Sequence, residues 1–181
     1  MSSVASGHTP DAVLAWLESE ASDEHREGLL RYGIPNERAL GVPMGVMKKK
    51  AKAVGRSHDL ALGLWDLEIY EARTMAAFVD EPATVEVAQM ERWAGDFDNW
   101  AICDTVCFHL FDRTAHAWTM SEEWVTRPEE FVRRAGFAVI WGLSVHDKKA
   151  DDALFESALT WIAETESDDR PLVKKAVNMA L

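Results

Sequence analysis

The sequence predicts an all-α protein, and three observations carry that expectation. Apolar residues recur at helical spacing along nearly the whole chain, and helix-opening and helix-closing residues are dense. Alternating runs, Asn-Gly hairpin turns and glycine-rich strand–helix junctions are absent. Trp65 to Trp100 spans 35 residues and Trp100 to Arg134 spans 34. That is near the period at which HEAT, armadillo and TPR helical pairs repeat. Such pairs stack into a curved array whose inner helices line a concave surface, so the expected architecture is an α-solenoid of HEAT-like antiparallel helices. A compact helical bundle fits the same periodicity.

The elements follow in order. Thr9-Pro10 joins an N-cap to a proline at the first helical position, and opens a helix carrying Val13, Leu14, Trp16 and Leu17. Asp23 caps a second helix through Leu29, Leu30 and Tyr32, stopped by Gly33 and Pro35. Pro43 starts a third, running through Lys48, Lys49, Lys50 and Lys52 to Gly55. Ser57 caps a short helix ending at Trp65, and a longer one covers Leu67 to Phe78. Pro82 precedes the next, through Val85, Val87 and Trp93, which Gly95 ends. Trp100 heads a helix, Ser121 to Val125 forms a short segment, and Pro128 to Val145 a long one. Asp151 to Ile162 and Pro171 to Leu181 close the sequence. The last helix lacks a C-terminal glycine or other stop signal, so it is expected to continue in a longer natural protein. Residues 1–181 are read as a single HEAT-like repeat domain.

Composition narrows the function. The 181 residues are 48% hydrophobic and 28% charged, an ordinary soluble composition. No run of about 18 apolar residues is present, so no membrane span is expected. Met1 to Gly7 lacks the basic and apolar regions of a secretory leader. Cys103 and Cys107, four apart on one helix, read as reduced, packed thiols of a cytoplasmic protein. There is no phosphate-binding glycine loop, Gly-x-Ser-x-Gly elbow or His-Glu-x-x-His pair. The six histidines are scattered, and His146-Asp147 with Asp151-Asp152 reads as a solvated turn, so neither a metal nor an organic cofactor is expected. The net charge of −12 opposes approach to phosphates. Basic residues are nevertheless clustered, at Lys48 to Arg56, Arg133-Arg134, Lys148-Lys149 and Lys174-Lys175.

Two stripes stand out. Trp100, Cys103, Asp104, Cys107 and Phe111 share a helical face that is apolar except for Asp104. Phe131, Arg134, Ala135, Ala138, Gly142 and Val145 share another, with Arg134 as the odd member. A carboxylate on an inward face must be hydrogen-bonded, paired or used, because leaving it bare costs several kcal/mol. For Asp104 the alternatives are a cap or ion pair and a functional acid; for Arg134 they are a neighbouring acid and a bound anion. Most of the eight tryptophans are expected in the core, and the remainder supply faces that attract cations.

These pieces together resemble the AlkD-like DNA alkylation repair family of HEAT-like repeat proteins. The matching segments are Tyr32-Gly33-Ile34-Pro35, Leu64-Trp65-Asp66-Leu67-Glu68 with Glu71-Ala72-Arg73, Asn99-Trp100 through Asp104, Val132-Arg133-Arg134-Ala135 and Lys174-Lys175-Ala176-Val177. The resemblance implies double-stranded DNA with alkylated bases as partner, and an N-glycosylase that releases cationic N3- and N7-alkylpurines without a cofactor. The family site uses two tryptophans and an aspartate to stabilise the sugar cation as the glycosidic bond breaks, which is electrostatic catalysis.

Carried over residue by residue, Asp104 takes the catalytic position and Trp100, four residues earlier, contacts the lesion nucleoside. A rival register anchored on Asp104-Thr105-Val106 puts Cys107 at the catalytic place and Cys103 at the tryptophan. The second family tryptophan falls at Asn178 or Met179, neither aromatic. The backbone-binding set is Arg134 with Arg133, Lys48, Lys149, Lys174 and Lys175. The competing expectation is a non-catalytic HEAT-repeat scaffold for a protein partner, which suits the acidic net charge.

Overall fold

The computed structural model describes residues 8–181, and every regular element among them is helical. Met1–Gly7, read from sequence as lacking a secretory leader, lies outside the described residues. No described helix is long and apolar enough to cross a membrane. The chain divides between Glu81 and Pro82 into two compact units.

The first unit holds α1 (Pro10–Ser19), α2 (Asp23–Leu29), α3 (Met44–Val54), α4 (His58–Trp65) and α5 (Tyr70–Val79). Each of α1, α2 and α4 is opened by a hydroxyl cap, from Thr9, Ser22 and Ser57 respectively. Helices α1, α3 and α4 pack on α5, burying Leu17, Met47, Leu64, Trp65, Met75 and Val79. At the centre of this apolar layer sits Glu71, wholly buried. Its carboxylate accepts the backbone N–H groups of Leu40 at 2.8 Å, Gly41 at 2.7 Å and Val42 at 3.3 Å. One acid thus holds the loop that carries the chain into α3. Gly41 is required there: its φ is +81°, and a Cβ would lie 2.1 Å from the Ser22 carbonyl oxygen.

The second unit holds α6 (Val87–Gly95), α7 (Trp100–His109), a 3-10 turn (Phe111–Arg113), α8 (Ala117–Trp124), α9 (Glu130–His146), α10 (Asp152–Glu164) and α11 (Pro171–Ala180). Helix α9 is its axis. Helices α6, α7, α8 and α11 all pack on α9, which buries ten of its residues, the first Val132 and the last Leu143. The small residues on α9 allow this. A Cβ on Gly136 would lie 2.8 Å from the Val125 backbone nitrogen, so α8 seats against bare backbone. Phe111 is buried against Trp93, Phe97 and Trp124, with ring centroids 5.8–6.5 Å apart.

Helix boundaries differ from the sequence expectation where side-chain packing overrides local signals. Helix α7 stops at His109, so Phe111 belongs to the 3-10 turn rather than to the Trp100 stripe. Helix α8 begins at Ala117, four residues before its expected serine cap, because Trp118 is drawn in by Asp147 at 3.2 Å. The residues behind the repeat spacing do not occupy equivalent places. Trp65 is the last residue of α4, Trp100 the first of α7, and Arg134 the fifth of α9. Trp65, Trp93 and Trp124 are fully buried, and the other five tryptophans are half-buried.

Candidate functional site

Asn99 sets the site by capping α7: its side-chain oxygen accepts the Ile102 N–H at 3.0 Å. One turn on, Asp104 meets Arg134 of α9. Arg134 Nε donates to Oδ1 at 2.8 Å and Nη2 to Oδ2 at 2.7 Å, a bidentate pair. Nη1 donates to the Leu172 carbonyl in the first turn of α11. One guanidinium therefore ties three helices together. Arg134 is only 2% exposed and Asp104 15%. Burial pushes the Asp104 carboxyl above its ordinary range, against the pull of Arg134 and the charge of Lys175. Arg134 is held above the usual guanidinium range: burial opposes its charge, but Asp104 outweighs it.

The remaining predicted residues fall into distinct places. Trp100 is half-buried at the start of α7, and Met179 is half-buried near the end of α11. Cys107 is a core residue, not a groove residue, because it lies on the face of α7 that packs inward. Burial, then hydrogen bonding with Cys103, pushes its thiol well above the usual cysteine range, so it carries no charge at neutral pH. Arg134 does not present its guanidinium to solvent, since its donors are directed to Asp104 and Leu172. Arg133 is likewise engaged. Its Nε donates to the Val125 carbonyl at 2.7 Å and its Nη1 to Asp168 at 2.9 Å.

Only the lysines stay at the surface. Lys175 is exposed, and its charge reaches Asp104. Lys174 is exposed and pairs with Asp169 at 2.7 Å. Lys149 is exposed in the turn after α9. Lys48 belongs to the first unit, where its Nζ sits 5.6 Å from the Phe78 ring centroid. Helices α3 and α11 carry lysines and no acidic residue. Within the second unit the structure gathers Asp104, Arg134 and Lys175.

Sequence reasoning missed two partners in this unit. The Leu172 carbonyl has no sequence signal, because backbone atoms carry none. Asp168 lay inside an acidic run, yet it is the acid on which Arg133 and Arg170 converge, at 2.9 and 2.6 Å. Arg170, and Arg133 after it, hold its carboxyl well below the usual range.

Comparison with known proteins gives this geometry a context. The model of the DNA alkylation repair enzyme family matches residues 13–181. The chain belongs to the DNA alkylation repair enzyme family. No curated protein sequence matches it. A solved structure shares its fold with a TM-score of 0.85 at 20% identity, covering 96% of this chain and 74% of that one. That protein is described as one of a new family related to the HEAT-like repeat DNA glycosylases, with affinity for branched DNA structures. The fold of this family member is thus the HEAT-like helical one that the sequence predicts.

Proposed function

We propose that this protein binds DNA, branched DNA included, through lysine-bearing helices, and that its Asp104 site is a clamp rather than an excision centre. The observation that carries this reading is the bidentate Asp104–Arg134 pair. A carboxylate about 4 Å from a developing sugar cation stabilises it by about 4 kcal/mol at an effective dielectric of 20. A guanidinium locked onto the same carboxylate cancels most of that attraction. Arg134 also donates to Leu172, so moving it onto a phosphate would break contacts with two other helices.

Lys48, Lys49 and Lys52 of α3 are exposed and free of acidic neighbours on their own helix. They are the candidates for phosphate contacts in the first unit, as Lys174 and Lys175 are in the second. Each contact released should lower the salt dependence of binding by about one unit of log–log slope.

Two measurements test the reading together. Fluorescence anisotropy with duplex and four-way-junction oligonucleotides should show salt-dependent binding, weakened in Lys174→Ala/Lys175→Ala. Single-turnover incubation with methylated duplex should release no 7-methylguanine from wild type. Release by wild type that disappears in Asp104→Asn would make Asp104 a catalytic residue and end the clamp reading. Absence of DNA binding would favour a protein partner, for which α10 is suited: it carries Asp152, Glu156 and Glu164, no basic residue, and the exposed Leu159.

A further inference from the structure

A second polar cluster in the same unit has no part in the Asp104 site. A cavity of about 320 Å³ is lined by the 3-10 turn, the start of α8 and the end of α9, through Asp112, Arg113, Trp118, His146 and Asp147 among others. Asp112 is wholly buried at its side chain. Its Oδ2 is bonded to Nδ1 of His146, while Oδ1 has no hydrogen-bond partner among the described residues. The nearest cation to Oδ1 is Arg113 Nε, at 3.8 Å and beyond hydrogen-bond reach. Arg113 is 43% exposed, and its Nη2 lies 3.2 Å from Nε2 of His146. Those partners assign the tautomer: Nδ1–H donates to Asp112, and Nε2 accepts from Arg113. The imidazole is held edge-on against Phe108, with centroids 4.6 Å apart.

The burial of this cluster is not fully compensated by bonds within the described residues. A buried carboxylate oxygen without a donor is destabilising. Placing Asp112 there also demands a glycine in the middle of α9. A Cβ at Gly142 would lie 2.7 Å from the Asp112 Cβ and 2.8 Å from its Oδ2. Glycine inside a helix is less favourable than alanine, because more backbone freedom is lost on folding. A structural ion pair needs neither expense, since the Asp104 pair in the same unit meets all its bonds without them. Such unmet groups at a cavity mark a place where a ligand completes the bonding.

We infer that this cavity binds a single nucleobase through an edge on which an N–H donor lies beside an acceptor. The donor goes to Asp112 Oδ1 and the acceptor to the Arg113 guanidinium, with the Trp118 indole as one wall. Arg113 turns from His146 toward the ligand, and that movement uncovers the carboxylate oxygen beside it. Asp112 is not left bare, because His146 stays bonded to its other oxygen. The volume is at the lower end for ligand sites, room for one heterocycle but not for paired strands. The inference rests on the DNA-binding reading only for the source of the base. An unstacked base at a DNA branch and a free nucleoside present the same edge.

The test follows the Trp118 indole N–H by NMR in the full chain. Trp118 is chosen because its N–H is fixed on Asp147 at 3.2 Å beside the cavity. Thymidine should shift this resonance in a saturable way. 3-Methylthymidine, which lacks the base's only N–H donor, should bind at least tenfold more weakly. Arg113→Gln, at a half-exposed position that threatens no core packing, should weaken thymidine about tenfold, the loss of one charge-assisted hydrogen bond. Asp112→Asn should abolish the discrimination between the two nucleosides.

Equal binding of thymidine and 3-methylthymidine would overturn the proposal, as would no shift with any nucleoside or with a junction carrying one unpaired thymine. A shift with the junction but not with thymidine supports a DNA-borne base, and the reverse supports a free one. Anisotropy on the same junction separates the two ideas. Thymidine binding without junction binding leaves the cavity and removes the DNA reading. Junction binding with a silent Trp118 does the opposite.

Discussion

Asp104 and Asp112 are two acids of one helical unit, both pushed upward by burial, and their surroundings treat them oppositely. Asp104 receives two donors from one guanidinium. Asp112 receives one donor from an imidazole, and its other oxygen receives none among the described residues. The first arrangement closes a site by satisfying it, and the second leaves a cavity with bonding capacity in hand. A lone acid on an apolar face is therefore not a sufficient sign of function. What distinguishes the two is the count of donors around each oxygen, which is a property of the packed unit.

The largest effect should come from splitting the Asp104 pair. Arg134→Ala or Asp104→Ala strands a buried charge and should cost about 3–5 kcal/mol in urea unfolding. Asp104→Leu combined with Arg134→Met should recover most of that loss, since both charges then leave the interior together. Asp112→Asn should cost less, about 1 kcal/mol, because it only weakens the His146 hydrogen bond, which the amide oxygen can still accept, and removes an unmet charge. A loss equal to that of Asp104→Ala would erase the contrast between the two acids.

Gly142→Ala comes next. It should destabilise by about 1–2 kcal/mol, the overpacking against Asp112 exceeding the helix-propensity gain. Gly95→Ala is the control, because its added Cβ meets nothing within 4 Å. That change should be neutral or slightly stabilising in the same melts.

The smallest and sharpest effect is in pH dependence. Arg170 and Arg133 depress the Asp168 carboxyl, so its contribution is complete above the unfolded value of about 3.9 and is lost as pH falls through the lower folded value. The Tm gap between wild type and Asp168→Asn should hold from pH 7 to about 4 and shrink below it. Asp112 is raised, so its ionised form is costly, and that cost is relieved as acid protonates it. Wild type should therefore gain on Asp112→Asn as pH falls toward the unfolded value of about 3.9. Parallel slopes for the two variants would contradict the assignment.

Much of the fold was legible along the chain. Thr9-Pro10 and Ser57 announce the starts of α1 and α4, because capping is a local bond between a side chain and the next turn's N–H groups. The inward placement of Asp104 and Arg134 was legible as well, from periodicity alone. Their mutual commitment was one of two alternatives left open, and no sequence signal names Leu172 as the third partner. Cys107 shows the limit from the other side. Its stripe was visible, but not that the stripe would face the core rather than a groove.

The order of elements, their helical character and the charge carried by each helix follow from the chain alone, since propensity, capping and periodicity act over a few residues. Which donor reaches which carboxylate oxygen was decided by tertiary packing. Hydrogen bonds across 30 or more residues depend on how closely helices approach. In this protein that approach is set by where α9 has glycine or alanine in place of a larger side chain.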